Sequence, residues 1–353
     1  MSPVQLLDKG KIYFVFHGLN NAISFKFIDG EAHLMETFEA YCDDINEYRW
    51  FIGLTPRLKD ATFNRIENRG RNPEVIERLI SYDRPDVILL VNGVAKLVVE
   101  KTREVPTGHN VGQRMARLVR AAELGVPCIK FFPFDGIKHG EYQGLCHLNP
   151  RILLAFERIW TIHDSPLLAV NWPLAADGEI STHANADYEL AQLVESYIDS
   201  DFDPSCKLFV KGRRGQMDEY NARCKAHKPY LFPPPSLEIL STSSWLKDID
   251  KLIVYGNIEL LRSKKTALYT IRMTEEKCRR EDPFTGMQFI YDYIYCRSGV
   301  LTNQKSINLI LHFPLITKRV WEANNPDDNS RKSSNWYLTA NALCFKDAIL
   351  VLR

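Results

Sequence analysis

Apolar and polar positions are arranged most regularly between residues 84 and 133. Residues 87–91 form a continuous apolar run, Asn92-Gly93 follows, and residues 94–102 are again mostly apolar. Asn-Gly is the dipeptide that most readily supplies the two positive-φ residues of a type I′ turn. We therefore predict an antiparallel hairpin of two buried strands in this segment.

Helical periodicity flanks this hairpin on both sides. Residues 72–80 follow a helical pattern with Pro73 in the first turn, and residues 111–124 carry apolar side chains three and four positions apart. Gly125 is expected to end the second helix, and residues 126–132 are expected to form a further strand. The order helix, strand, strand, helix, strand predicts an α/β fold with a mixed sheet flanked by helices.

Changes in pattern divide the rest of the chain. Residues 1–60, with strands at 11–16 and 23–28 and an acidic helix at 36–48, are expected to form an N-terminal cap. Residues 61–200 are expected to form the core, with further helices at 149–162 and 187–198. Residues 201–235 are a basic segment that ends in a proline-rich linker. Residues 236–353 are strand-rich, with strands predicted at 251–260, 267–273, 287–295, 306–313 and 343–352.

Composition narrows the class of protein. The chain has 353 residues and a formal net charge of +1, and it shows neither a run of eighteen apolar residues nor a secretory leader, so we expect a cytoplasmic protein without a membrane partner. Its eight cysteines contain no CxxC pair, which indicates neither a zinc site nor a disulfide framework. The lack of GxxxxGK[ST] and GxSxG motifs disfavours an ATP-driven machine and a serine hydrolase.

Two carboxylates border the predicted hairpin. Asp86 precedes its first strand and Glu100 lies near the end of its second, so antiparallel pairing brings them to neighbouring positions at one end of the sheet. Two nearby carboxylates suit a hard divalent cation such as Mg²⁺, which stabilises charge on a phosphodiester and lowers the pKa of an attacking water. The hairpin therefore indicates a metal-dependent site for phosphodiester hydrolysis.

Pro85-Asp86, followed by Glu100 at the end of an apolar strand, resembles the PD-(D/E)xK nuclease superfamily, which includes the type II restriction endonucleases. The resemblance covers residues 84–133 and implies a restriction-endonuclease-like core. It also implies Mg²⁺, with Mn²⁺ as a substitute, held by Asp86, Glu100 and the carbonyl of Lys101. Several members of the superfamily offer a further acid from the upstream helix, for which Glu77 is the first candidate and Glu74 the second.

One position departs from the superfamily pattern. The lysine expected two residues after the second acid is replaced by Thr102, and Lys101 points to the opposite face of the strand unless a bulge intervenes. Either Thr102 takes the role of the lysine or a cation arrives from elsewhere. The candidates are Lys96, which alternation places on the Glu100 face four residues earlier, and Gln113 or Arg114 at the start of the next helix. We favour Thr102 together with Gln113 and Arg114, which would orient the water and face the scissile phosphate.

Basic residues in several segments would suit phosphate contacts. Arg69 and Arg71 flank Gly70 ahead of the first core helix, and Arg117 continues the basic stripe that Arg114 begins. Further along the chain, the glycines of the basic segment would let loops enter a groove. The residues expected to contact DNA are Arg69, Arg71, Arg117, Lys211, Arg213, Arg214, Arg279 and Arg280.

These observations lead us to expect a type II restriction endonuclease that cuts duplex DNA at a specific sequence, with residues 236–353 as its DNA-recognition region. Such enzymes often act as homodimers, because two-fold protein symmetry matches a palindromic site, and the resemblance implies a prokaryotic source. The missing lysine leaves a second hypothesis open, a DNA-binding or defence module that keeps the nuclease fold without its activity. A structure- or damage-directed repair endonuclease is a third.

Overall fold

The computed structural model describes residues 5–6, 12–13, 24–28, 31–106, 114–140, 143–226, 236–261, 263–272, 274–275, 307–324 and 336–352. Within these ranges the protein is a mixed α/β structure built on two six-stranded mixed sheets with flanking helices. The prediction of an α/β class with a mixed sheet and flanking helices is confirmed.

The strands in chain order are β1 (Gln5–Leu6), β2 (Ile12–Tyr13), β3 (Ser24–Ile28), β4 (Glu31–Met35), β5 (Phe38–Cys42), β6 (Thr62–Arg65), β7 (Val87–Val91), β8 (Val94–Lys101), β9 (Cys128–Phe132), β10 (Asp135–Lys138), β11 (Gly144–His147), β12 (Leu167–Asn171), β13 (Ser236–Ser241), β14 (Ile253–Tyr255), β15 (Lys265–Thr270), β16 (Ile307–Phe313), β17 (Ala342–Phe345) and β18 (Ala348–Val351). Three pairs, β1 with β2, β3 with β4 and β10 with β11, form small two-stranded sheets of their own.

The α-helices are α1 (Ile45–Ile52), α2 (Glu74–Leu79), α3 (Met115–Glu123), α4 (Arg151–His163), α5 (Tyr188–Asp199), α6 (Lys207–Ala226), α7 (Thr242–Asp248) and α8 (Lys318–Asn324). Short 3-10 helices span Pro56–Leu58, Ile258–Leu260 and Trp336–Thr339. The helices predicted at residues 72–80, 149–162 and 187–198 correspond to α2, α4 and α5.

The hairpin of β7 and β8 forms where the sequence predicts it. Asn92 and Gly93 have φ angles of 51° and 77°, the left-handed conformation that a type I′ turn requires at both central positions. A β-branched or bulky residue would be strained there. The turn pairs Val91 with Val94, and one extra residue further along β8 shifts the register so that Val87 pairs with Val99.

The first six-stranded sheet has the order β12-β9-β8-β7-β5-β6. β7 pairs antiparallel with both β5 and β8, whereas β8, β9 and β12 are parallel. Because side chains alternate between faces, Ile88 and Val98 pack with α2, α3 and α4, and Val87 and Val99 pack with α1 and α5 on the other side. The carboxyl ends of β5, β8, β9 and β12 lie at the same edge of the sheet, next to the start of β7.

The second six-stranded sheet has the order β13-β15-β16-β17-β18-β14. On one face, Leu309 and Leu311 of β16 belong to the same buried apolar cluster as Met115 and Leu118 of α3. On the opposite face, Ile310 packs with Trp245 of α7 in a separate cluster. The strand-rich C-terminal segment therefore shares a continuous core with the helices that cover the first sheet.

The helix predicted at residues 36–48 is wrong. Residues 38–42 form β5, which pairs with β7, and α1 begins only after Asp44, whose side chain accepts hydrogen bonds from two backbone amides of the first turn. Ala40 and Tyr41 are both buried, in the apolar layers on opposite faces of the sheet, so this strand lacks the alternation of a half-exposed one. Part of the segment expected to form a separate cap thus belongs to the first sheet.

The basic segment that we expected to form loops is instead helical. Residues 207–226 form α6, a helix of 20 residues. A Cβ on Gly212 would lie 3.3 Å from Leu168, so this glycine allows the helix to approach the edge strand β12 closely.

Three strand predictions in the C-terminal segment have different outcomes. Residues 343–352 form the hairpin of β17 and β18 rather than one strand, and residues 251–260 form β14 and a 3-10 helix. The strand predicted at residues 287–295 lies outside the described residues.

Candidate functional site

Asp86 and Glu100 meet at one end of the hairpin of β7 and β8. Val87 of β7 pairs with Val99 of β8, so the next pair of facing positions beyond them is Asp86 and Glu100. Asp86 as a whole residue is partly exposed, but its carboxylate is largely buried, and Oδ2 accepts a hydrogen bond from the Lys101 amide at 2.6 Å. The side chain of Glu100 is fully buried. The structure thus brings together the two carboxylates that the sequence pairs.

Two arginines of the α3 region hold the Glu100 carboxylate. Nη1 of Arg117 donates to Oε2 of Glu100 at 2.9 Å, and Nη1 of Arg114 lies 3.3 Å from Oε1. Arg117 also donates through Nε and Nη2 to Oδ2 of Asp83, at 2.9 and 2.5 Å. Both arginines face the sheet, because positions three apart on a helix share one side. Arg117, expected to contact DNA, is therefore committed to a mostly buried ion pair with two carboxylates.

Arg114 contacts the site through a single nitrogen. Its Nη1 donates to the carbonyl oxygen of Lys101 at 2.8 Å and to Oγ1 of Thr102 at 2.7 Å, in addition to its contact with Glu100. The residue lies at the N-cap of α3, where its side chain makes no capping hydrogen bond. Gln113, which we expected to act beside Arg114, lies outside the described residues.

Lys130 is the site residue that the sequence analysis missed. It lies in the middle of β9, directly opposite Glu100 in the parallel register of β8 and β9, and only 1% of its surface is exposed. Its Nζ has no hydrogen-bond partner among the described residues, and it lies 5.2 Å from the centre of the Phe132 ring. The available signal was a lysine between two apolar residues of a strand that the pattern predicted to be buried.

The charges of this cluster shift each other's pKa values. Burial raises the pKa of Asp86 to about 7, and the nearby charge of Glu100 adds to the increase. Burial lowers the pKa of Lys130 to about 8, although Glu100 opposes that effect. Burial also disfavours the charged form of Arg117, but Glu100 and Asp83 outweigh it and raise the pKa of Arg117 above its ordinary value. Such perturbed groups, gathered at one edge of a sheet, are typical of functional sites.

The side chain of Lys101 points away from Glu100, as strand alternation predicts. Its Nζ lies 2.5 Å from a carboxylate oxygen of Glu47 and 4.1 Å from the centre of the Trp50 ring, both on α1. Only the backbone of Lys101 faces the site, through its amide and its carbonyl. A catalytic role for the Lys101 side chain is therefore excluded by its position.

A β-bulge removes Lys96 from the list of candidate cations. Leu89 pairs with Leu97 whereas Leu90 pairs with Ala95, so Lys96 is an extra residue in β8. Its Nζ lies 5.4 Å from the centre of the Phe202 ring, in the apolar layer that packs against the face opposite Glu100. The expectation that Lys96 shares a face with Glu100 is wrong for this reason.

Glu77 holds a loop rather than facing the two carboxylates. Its Oε1 accepts hydrogen bonds from the amides of Gly70, Arg71 and Asn72 at 2.8 to 3.1 Å, and from the Asn72 side chain at 2.7 Å. Burial works against its charge, but these hydrogen bonds lower the pKa of Glu77. Glu74, the second choice, is exposed in the first turn of α2. Within the described ranges neither residue contacts Asp86 or Glu100.

The other residues predicted to contact DNA are either paired within the protein, exposed, or outside the described residues. Arg213 is engaged within the protein, because it forms a two-pronged pair with Glu157 and stacks on the Trp160 ring at 4.4 Å. Arg69 is exposed and donates to the carbonyl of Ser81 at 2.9 Å. Arg71, Lys211 and Arg214 are exposed, and Arg279 and Arg280 lie outside the described residues.

The oxygens at this end of the hairpin suit a hard divalent cation. Across the described ranges, His, Cys, Asp and Glu side chains form no group of three or more that could hold a metal ion. The available set is therefore two carboxylates, Asp86 and Glu100, with the carbonyl of Lys101 and the hydroxyl of Thr102 nearby. Mg²⁺ prefers such oxygen ligands, and a cation would offset both the burial and the repulsion from Glu100 that raise the pKa of Asp86.

Comparisons with protein-family models, with curated proteins and with solved structures found no match to this chain. None of the helices that the structure describes has the length and apolar character needed to cross a membrane. The fold and the site together define a mixed α/β protein with a cluster of carboxylates, arginines and one buried lysine at the edge of its first sheet.

Proposed function

We propose that the protein is a Mg²⁺-dependent type II restriction endonuclease of the PD-(D/E)xK kind, which hydrolyses phosphodiester bonds in duplex DNA at a specific sequence. The observation that carries this proposal is the alignment of Asp86, Glu100 and Lys130 at neighbouring positions across the adjacent segments β7, β8 and β9. The chain order α2, β7, β8, α3, β9, with β9 parallel to β8, is the order that the resemblance implies and supports the same assignment.

Asp86, Glu100 and the carbonyl of Lys101 would hold Mg²⁺, with Mn²⁺ as a substitute. When bound, the cation supplies charge stabilisation at the phosphodiester and a lowered pKa for the attacking water. The chain itself contributes a fixed arrangement. The amide of Lys101 orients the Asp86 carboxylate, and Arg117 orients that of Glu100. These contacts hold both acids before the substrate arrives, which is the role that surrounding hydrogen bonds have at metal sites.

Lys130 takes the role of the lysine that is missing at position 102. Its Nζ is buried beside Glu100, and because its pKa is lowered to about 8 it can exchange a proton near neutral pH. Its position on β9 lets it orient the attacking water, while the hydroxyl of Thr102 accepts a hydrogen bond from Arg114 instead. This assignment replaces the preference for Thr102 and Gln113.

Exposed basic residues near the same edge of the sheet would bind the DNA backbone. Arg103 follows β8 and lies over the Trp172 ring at 4.7 Å. Lys211 and Arg214 of α6 line a cavity of about 810 Å³ beside β12. Only β9 separates β8 from β12, which corresponds to roughly 10 Å across the sheet. Phosphates on one strand of a duplex can therefore reach these side chains while the scissile bond lies near Asp86.

The test is incubation of the purified protein with long duplex DNA of varied sequence, in Mg²⁺ and separately in EDTA, followed by sequencing of the ends. We expect discrete fragments that require Mg²⁺ and disappear in Asp86→Ala and Lys130→Met. Arg213→Gln, which removes an arginine away from the site, is the matched control and should cut normally. A homodimer on a palindromic sequence predicts ends placed symmetrically on the two strands. Fragments that persist in Asp86→Ala would contradict the proposal.

One observation favours a second candidate, a DNA-binding or defence module with the nuclease fold and no activity. Glu100 is already neutralised by Arg114 and Arg117, so its buried charge is satisfied by the protein alone. This candidate predicts intact DNA in both Mg²⁺ and EDTA, together with a measurable affinity for duplex in a filter-binding or fluorescence assay. The same samples therefore distinguish the two functions.

A further inference from the structure

One guanidinium nitrogen stands among the oxygens that would hold a metal ion. Nη1 of Arg114 lies within 3.3 Å of oxygen atoms from three successive residues, Glu100, Lys101 and Thr102. Two of these oxygens, the Glu100 carboxylate and the Lys101 carbonyl, belong to the donor set of the proposed function. A metal ion bound to these two oxygens would compete with Arg114 for the same lone pairs, and the metal ion and the guanidinium group would repel each other.

The charges of the cluster point to the same competition. Three carboxylates, Asp83, Asp86 and Glu100, face three basic side chains, Arg114, Arg117 and Lys130, so the cluster is formally neutral without a metal ion. A divalent cation that joined this cluster with Arg114 in place would leave it with an excess of two positive charges in a largely buried setting. That arrangement is unfavourable unless a cationic side chain leaves or an anion enters.

Of the two arginines, Arg114 is the one free to leave. Arg117 lies inside α3 and is held by Asp83 through two nitrogens as well as by Glu100. Arg114 lies at the N-cap, contacts the site through Nη1, and its side chain is 22% exposed. A guanidinium group binds phosphate in a two-pronged manner, so a phosphodiester offers Arg114 an alternative partner of equal charge.

We propose that Arg114 holds the cation position of this site until a nucleic-acid phosphate draws it away, so that DNA binding precedes and promotes metal binding. This inference rests on the proposed function. Arg114 is a positioning residue in this scheme, since it couples the two binding events and does not take part in bond breaking. The coupling keeps the protein from binding a divalent ion productively in the absence of substrate.

The test measures Mn²⁺ binding to the protein without DNA, by electron paramagnetic resonance titration. Arg114→Gln should bind Mn²⁺ about tenfold more tightly than the wild type, which is within the usual range of coupling between sites. Arg114→Lys keeps the positive charge and should bind as weakly as the wild type, and Arg213→Gln is the matched control. Adding Asp86→Asn to Arg114→Gln should abolish the gain, which places the ion at this site. Circular dichroism confirms that each variant is folded.

A second measurement addresses the phosphate. In EDTA, Arg114→Gln should weaken duplex binding several-fold, and Arg213→Gln should not. Equal Mn²⁺ affinity in the wild type and in Arg114→Gln would overturn the inference and leave the proposed metal chemistry standing. Absence of Mn²⁺ binding in all variants, including Arg114→Gln, would overturn both the inference and the metal-dependent function. The two failures are therefore distinguishable.

Discussion

Glu100 and Lys130 occupy directly opposite positions in the parallel strands β8 and β9, and both are almost completely buried. The carboxylate of Glu100 is held by two arginines, whereas Nζ of Lys130 has no hydrogen-bond partner within the described part of the chain. The fold therefore contains a buried cation that its surroundings do not satisfy. A group of this kind destabilises the folded state, and departures of this sort from the usual rules of packing occur mainly at functional or strained sites.

Lys130→Met should separate stability from activity. Methionine fills a similar volume without a charge, and Glu100 keeps both arginines, so the free energy of unfolding should stay within about 1 kcal/mol of the wild type or increase. Metal-dependent cleavage should be lost, because the proposed water-orienting amine is absent. Urea denaturation and the cleavage assay measure the two quantities on one preparation. A Lys130→Met variant that cleaves like the wild type would remove Lys130 from the mechanism.

Glu100→Gln should strongly destabilise the protein. The change leaves Arg117 and Lys130 without the buried negative charge that both of them face, although Arg117 retains Asp83. Loss of one partner from a buried ion pair costs about 3 kcal/mol or more. Asp199→Asn is the control, because Asp199 pairs with Arg57 at the surface, where both side chains are more than half exposed, and its loss should cost less than about 1 kcal/mol. Equal effects of the two substitutions on urea unfolding would contradict the described network.

The hairpin of β7 and β8 could be predicted from the sequence because its determinants are local. Asn92-Gly93 specifies the turn and the pairing of Val91 with Val94, which brings the ends of the two strands together to within one residue. The direct alignment of Asp86 with Glu100 also needs the extra residue in β8. Lys96 could not be placed in the same way. The bulge that turns it to the other face depends on how β8 packs against α5 and on the hydrogen bond from the Tyr197 hydroxyl to the Lys96 carbonyl. Alternation fails wherever such an extra residue is inserted.

The rest of the site depends on contacts between residues far apart in the chain. Lys130 meets Glu100 because β9 pairs with β8 across the α3 crossover, and the apolar pattern of β9 predicts a strand without indicating its neighbour. Arg117 reads as part of a surface stripe, but α3 presents that side to the sheet, where Asp83 and Glu100 neutralise it. The sequence makes Glu77 a candidate metal ligand, but its carboxylate accepts hydrogen bonds from the amides of a neighbouring loop. Tertiary packing decides each of these cases.

Asp86→Asn should make stability less dependent on pH. The pKa of Asp86 is raised from 3.8 to about 7, so in the wild type the unfolded chain ionises first as pH increases. The contribution of the protonated group is fully present below about pH 4 and is lost between pH 4 and 7. Asparagine can still accept the hydrogen bond from the Lys101 amide and has no charge to bury. Because Asp86 lies at a partly exposed position near solvent, we expect the variant to gain only about 1 to 2 kcal/mol relative to the wild type between pH 4 and 8.

Urea titrations of the wild type and of Asp86→Asn at pH 4, 6 and 8, without divalent ions, measure this effect. Only the difference between the two proteins is informative, because other groups titrate in both. A difference that is constant across the three pH values would show that Asp86 ionises normally in the folded state.

Two neighbouring arginines of α6 should differ in what their loss affects. Loss of Arg213 should lower stability, and loss of Arg214 should change the salt dependence of DNA binding. Arg213 pairs with Glu157 and stacks on Trp160, so Arg213→Ala should lower the free energy of unfolding by about 1 kcal/mol. Arg214 is exposed, so Arg214→Ala should leave stability within about 0.5 kcal/mol. If Arg214 contacts a phosphate, its loss should reduce the slope of log affinity against log salt concentration by about one, whereas Arg213→Ala should not change that slope. Thermal unfolding and duplex binding at several salt concentrations in EDTA provide both measurements, and an unchanged slope in Arg214→Ala would remove α6 from the proposed DNA path.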